Sequence, residues 1–296
     1  MCIQFCIMQI DANRNVYSSI VSSYLAIEAE SALAYLHSYL RDLALIRAGA
    51  SLSDLCLAER RKETKSEFYP EGSSDLFDGI AIIKVVGYMQ ATTSGGSIVA
   101  GGMMSAAEDM YRAYADDSIK GVLIQVNSGG GEMAAMDILH SAIRDRNKPV
   151  VAHIIFAASA GYGGVSNADE IVAMPNARVG SIGSVISVNK KALAEYAEEW
   201  LDLYASDSRK NEEFRAAVSG DFSKLQELVE EATARFQLQV TKDRALDLSS
   251  ERHKEAVSGA MFFAGQAKYR GLVDSIGTLK YALKRIDALS KVYNEN

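Results

Sequence analysis

Between Gly121 and Ile155 the chain reads GVLIQV, then NSGGG, then a helix-length segment from Glu132 to Arg144, then PVVAHII. Two β-branched apolar runs separated by that much chain do not make a hairpin. They read as a parallel pair, and a parallel pair requires a right-handed crossover. The expectation is a βαβ unit: strand 121–126, a glycine-rich corner, helix 132–144 and strand 149–155. The alternation extends both ways. Upstream, Gly79–Met89 (GIAIIKVVGYM) is a strand candidate, and 91–102 reads as a loop entering a helix that lasts to about Ala115. Downstream come a short strand at Ile171–Met174, a Gly180–Gly183 turn, strand 185–188, a helix over 189–200 and an extended 201–205. Helix follows from about Ser223 to Leu246, then an apolar run at 260–263, a helix at 265–269 and a terminal helix. Repeated βα alternation argues an α/β fold.

Residues 13–48 carry apolar side chains at Val16, Ile20, Tyr24, Leu25, Leu33, Leu36 and Leu40, a mostly helical spacing. Glu59–Asp75 is charged, then carries Pro70 and Gly72, and reads as a linker. This divides the chain into a helical N-terminal appendage with its linker, 1–75, and a main domain, 76–296.

The candidate chemistry lies where small residues crowd a serine. Ala158-Ser159-Ala160-Gly161-Tyr162 follows the second strand directly, as at a sharp strand-to-helix turn whose first helical N–H groups stay free for a ligand. Such a turn presents a nucleophile beside an oxyanion site. Asn127-Ser128-Gly129-Gly130-Gly131 adds a second corner with a closely approachable backbone. Together with Lys148-Pro-Val-Val-Ala and Ala177-Arg-Val-Gly-Ser-Ile-Gly-Ser184, these motifs resemble the signal peptide peptidase A family of serine–lysine endopeptidases. The likeness is greatest to its phage members, the head-maturation (prohead) proteases, and spans roughly residues 78–286. Gly129 stands where the family usually has proline, and Ala160 where glycine often follows the nucleophile; neither change removes a backbone N–H.

The resemblance implies a Clp protease/crotonase-like spiral of ββα units. It implies Ser159 as nucleophile, Lys210 as general base, Ser181 as the residue orienting that lysine, and the N–H groups of Gly131 and Ala160 as oxyanion donors, with Gly130 the alternative to Gly131. A lysine base requires an environment that favours its neutral form. Lys84, flanked by Ile83 and Val85, is the second lysine candidate. A histidine base is disfavoured: His37 is in the appendage, His140 mid-helix, His253 in a charged stretch, and His153 on the strand before Ser159.

Composition removes other classes. A net charge of −7 and a pI near 5.3 give no general footprint for nucleic acid. Cys2, Cys6 and Cys56 are too few and too localised for a disulfide framework and suit a reducing compartment; the resemblance to phage members implies the host cytoplasm or an assembling capsid. No run approaches the ~18 apolar residues of a membrane span, and no Walker loop or His-Glu-x-x-His motif implies ATP or zinc; no cofactor is expected. The expected partners are a polypeptide substrate, scaffold or capsid proteins if the chain serves head maturation, and further copies of itself in a ring. The stripe Leu225, Leu228, Val229, Ala232, Phe236, Val240 and Leu246 suits either that ring or the intrachain core. Two rivals share the fold: a catalytically silent assembly component, and a crotonase-type acyl-CoA enzyme, which would need a carboxylate at the site.

Overall fold

The structure is a computed structural model and describes residues 25–27, 74–92 and 102–293. Its centre is a sheet of β2 (Ser74–Phe77), β3 (Ile80–Met89), β4 (Gly121–Glu132), β5 (Val150–Ala158), β6 (Glu170–Gly180) and β7 (Met261–Phe263), hydrogen-bonded in that order. Strands β3 to β6 are parallel, while β2 and β7 run antiparallel at the two ends. Two short strands pair off this path: β1 (Leu25–Ile27) with β4, and β8 (Ser275–Ile276) with β6. The βαβ expectation holds, with α2 (Met133–Arg144) joining β4 to β5 after α1 (Met103–Ala115) has joined β3 to β4.

Each face of the sheet is covered, as parallel strands require. On one face Ile83, Val85, Ile124, Val126, Ala152 and Ile154 pack with Met110 of α1 and Leu139 of α2. Alternate residues Ile80, Leu123, Val151 and Val172 point the other way, onto Ala282 and Ile286 of the terminal helix, Leu279–Tyr293. Between β6 and that helix lie α4 (Lys190–Glu199), α5 (Glu212–Val218), α6 (Ser223–Asp243), α7 (Glu251–Ala256) and α8 (Ala264–Tyr269), following the single turn α3 (Ala160–Gly163); the terminal helix is α9.

Four expectations change, and the simplest is that residues 185–188, read as a strand, carry only a single bridge at Val185. Strand β4 does not stop at Val126 but runs through the glycines to Glu132, because Gly130 and Gly131 still pair with Tyr88 and Met89 of β3. A Cβ on Gly131 would collide with the Met89 backbone, so only glycine permits that approach. Strand β6 outlasts Met174: pairing passes from Ile154–Ala173 to Phe156–Arg178, so Pro175 and Asn176 bulge out of the ladder and the strand resumes. Residues 25–27, read as helical, are a strand; the rest of the expected appendage and linker up to residue 73 lies outside the described residues. The α6 stripe is largely intrachain core, with Leu225, Ala232, Phe236, Val240 and Leu246 buried and Leu228 and Val229 half-buried.

Candidate active site

Strand β5 ends at Ala158 and the chain reverses into α3 through Ser159, whose φ of 55° and ψ of −125° are unusual for a residue with a Cβ. A conformation of this kind costs on the order of 1–3 kcal/mol and is held only by its surroundings. The surroundings are specific. The Ser159 N–H donates to Gly180 O at 2.8 Å, and its carbonyl accepts from Tyr162 and Gly163. Any Cβ on Gly161 would come within 2.9 Å of Ser128 O, so α3 presses its backbone on the glycine-rich end of β4. Tyr162 is buried and donates its hydroxyl to Leu272 O at 2.9 Å; burial raises its pKa, keeping the phenol neutral.

Ser159 is 1% exposed, and its Oγ donates to Gly183 O at 3.3 Å. A carbonyl can accept that hydrogen bond but cannot carry the proton away, so the hydroxyl rests unactivated. Ala160 begins α3, and its N–H therefore has no acceptor within the helix. Gly130 N–H donates to Ser128 Oγ at 3.1 Å, and Ser128 Oγ donates in turn to Gly87 O at 2.6 Å. That commitment leaves Gly131 the better oxyanion candidate of the two. Ser181, at φ 55°, follows Gly180 on the turn fastened to Ser159, and its N–H donates to Ala260 O at 3.0 Å. Ser159, Ala160, the Gly180–Gly183 turn and the end of β4 are thus brought together.

The lysines are not. Lys210 is exposed in the loop before α5; its N–H donates to Ser208 Oγ at 3.2 Å, and among the described residues no hydrogen bond joins its side chain to Ser159 or Ser181. Lys84 stands in register with Gln125 and, through it, with His153, six residues before Ser159. At about 3.3 Å per residue that is roughly 20 Å, too far for direct proton transfer within one chain.

No described histidine reaches Ser159 by a hydrogen bond. His153 is buried, and burial lowers its pKa against the smaller opposing effect of the Gly277 backbone. His140 Nε2 meets Asp243 Oδ2 at 2.8 Å, and Ser166 Oγ donates to the same oxygen at 2.5 Å. This second Ser/His/Asp set, unmarked in the sequence because its members lie on α2, α6 and the turn after α3, has the carboxylate in the middle. No hydrogen bond joins that serine to that histidine among the described residues, so the set ties three segments together rather than forming a serine–histidine pair.

The sequence pattern of Peptidase family S49 matches residues 142–293, more than half of the chain. This chain belongs to peptidase family S49. The match takes in Ser159, Ala160, Ser181 and Lys210 and leaves Gly131 outside. Among S49-like relatives, the chain is similar to the protein named Putative protease MJ0651 of Methanocaldococcus jannaschii, 30% identical over 60% of this chain and 59% of that one. It is also similar to the Enterococcus faecium protein named Putative signal peptide peptidase SppA, 32% identical over 60% and 52%, and to Protease 4 of Haemophilus influenzae, 27% identical over 62% and 30%. The chain therefore spans little more than half the length of the first two relatives. A solved enoyl-CoA hydratase of Mycobacterium smegmatis gives a TM-score of 0.43 at 15% identity, over 75% of this chain and 77% of that one, a likeness too weak to bear on chemistry. No helix among the described residues is long and apolar enough to cross a membrane.

Proposed function

We propose that this S49 member is a serine endopeptidase in which Ser159 attacks a peptide carbonyl, Lys210 takes and returns the proton, Ser181 orients Lys210, and the N–H groups of Gly131 and Ala160 hold the oxyanion. The observation that carries the reading is the strained elbow at Ser159, stabilised by Gly180 and followed at once by the Ala160 N–H. The fold reading that goes with it is the ββα spiral with its 76–296 peptidase domain.

An exposed Lys210 with no hydrogen bond to Ser159 is what the catalytically silent rival predicts for a single chain; as a base it requires an assembled enzyme. From Gly183 to Ala216 no residue is buried, although the stretch includes α4, Trp200, Leu201 and Leu203; the two leucines are 84% and 86% exposed. An arm with aromatic contacts of its own, Tyr196 to Phe214 at 5.2 Å, and no buried residue among those described suits burial against a second copy. Removing Lys210 from water at such a contact would disfavour its ammonium form and suit it to receive the Ser159 proton. Ring closure would also confine the serines away from folded proteins. The head-maturation role, trimming scaffold or capsid proteins in the host cytoplasm, is supported by motif resemblance alone.

The test is hydrolysis of an unfolded polypeptide such as casein. Ser159→Ala and Lys210→Ala should each lose at least about a hundredfold in rate, on the scale of general acid–base catalysis. Full activity of Ser159→Ala removes the nucleophile; full activity of Lys210→Ala removes the base and leaves the nucleophile standing.

A further inference from the structure

Strand β1 pairs antiparallel with the end of β4, Leu25 opposite Glu132, Ala26 opposite Gly131 and Ile27 opposite Gly130. One edge of β4 at those positions is already taken by Tyr88 and Met89 of β3. The other edge carries β5 as far as Ser128–Ala157, after which β5 leaves the sheet at Ser159. Because a strand has two hydrogen-bonding edges, β1 occupies the second, continuing the line that β5 vacates. An extended backbone from the chain's own N-terminal region therefore lies along the glycines beside the Ser159 elbow.

A polypeptide to be cut there has the same requirement. It must be extended, align its main chain by hydrogen bonds to a free strand edge, and place one carbonyl between Ser159 Oγ and the oxyanion donors. Gly130 and Gly131 suit that role, since the edge they form has no side chains to select against a sequence. We propose that the segment around residues 25–27 occupies the substrate-strand position of its own active site, so that the resting chain is self-occluded and extended polypeptides gain access by displacing it. This rests on Ser159 being the nucleophile. Residues 28–73 tether the occupant to β2, so it competes at an effective intramolecular concentration rather than a bulk one.

The full-length chain carrying Ala26→Pro and Ile27→Pro tests it. Successive N–H groups of a strand point to opposite sides, so one of the two faces β4 and is lost. Amide hydrogen exchange over 130–132 should accelerate about tenfold or more, and fluorophosphonate labelling of Ser159 should speed up several-fold. A synthetic peptide of residues 20–32 should slow the labelling again, and a scrambled one should not. A second variant guards against misfolding: Leu25→Cys/Glu132→Cys, with Cys2, Cys6 and Cys56 changed to serine, places cysteines opposite each other at a separation a disulfide can span. Its labelling should be slow when oxidised and recover on reduction. Equal labelling of the wild type and the proline variant, with oxidation of the cysteine pair also without effect, overturns the occlusion and leaves the nucleophile intact. Faster exchange with no labelling in any form counts against Ser159 itself, and the occlusion falls with it.

Discussion

Ser159 and Ser181 both sit at φ 55°, and Gly180 between strand and turn sits at φ 138°. What fixes all three is a small set of main-chain bonds, Ser159 to Gly180 and Ser181 to Ala260, which no sequence pattern records. Gly180 is the critical member, because a Cβ there would run into Ala260 O. Gly180→Ala should destabilise the fold by about 2–4 kcal/mol in urea unfolding, through strained φ and overlap together; an unchanged midpoint would mean the turn is not seated on β7. His153 gives a pH signature. Burial holds its pKa below the ordinary 6.5, so the unfolded chain binds the proton more readily. Its contribution is therefore full above that ordinary value and is lost as pH falls through it towards the depressed one. His153→Leu removes the titrating group. The variant should lose less stability than wild type between pH 7.5 and pH 5, and identical losses in thermal melts would refute the assignment.

At the scale of elements, what was legible followed period and composition. Apolar runs located β3, β4 and β5, and helical spacing located α1, α2, α6 and α9, since those patterns report burial on one face. The serine elbow and the Gly180–Gly183 turn were legible because small residues cluster only where backbones crowd. Extents were not. β4 continues through three glycines and β6 past Pro175 because pairing partners elsewhere in the chain, Met89 and Phe156, hold them extended. The α6 stripe illustrates the same limit: periodicity marked the face, and only packing of Phe236 and Val240 into the core identified its partner as this chain. Lys210 is proposed on resemblance alone, and nothing in its local sequence distinguishes it from a surface lysine.

At the scale of the whole molecule, the sheet and its two cores account for the described residues except the arm from Gly183 to Ala216. If copies of the chain cover that arm, light scattering at micromolar concentration should give a multiple of 32.1 kDa, and Leu201→Glu/Leu203→Glu should shift it towards the single-chain mass. A single-chain mass with full activity would contradict the ring. Where the ring brings one copy's Lys210 to another's Ser159, mixing the inactive Ser159→Ala and Lys210→Ala proteins should restore part of the turnover.

The central claim is that Ser159, unactivated in the single chain, is the nucleophile of the assembled enzyme. Treating the full-length protein with a fluorophosphonate and mapping the adduct by peptide mass spectrometry tests it most directly. The structure-based expectation is a single adduct on the peptide containing Ser159, absent in Ser159→Ala and strongly slowed in Lys210→Ala. An adduct on another serine, or hydrolytic activity that survives without any adduct on Ser159, would contradict it.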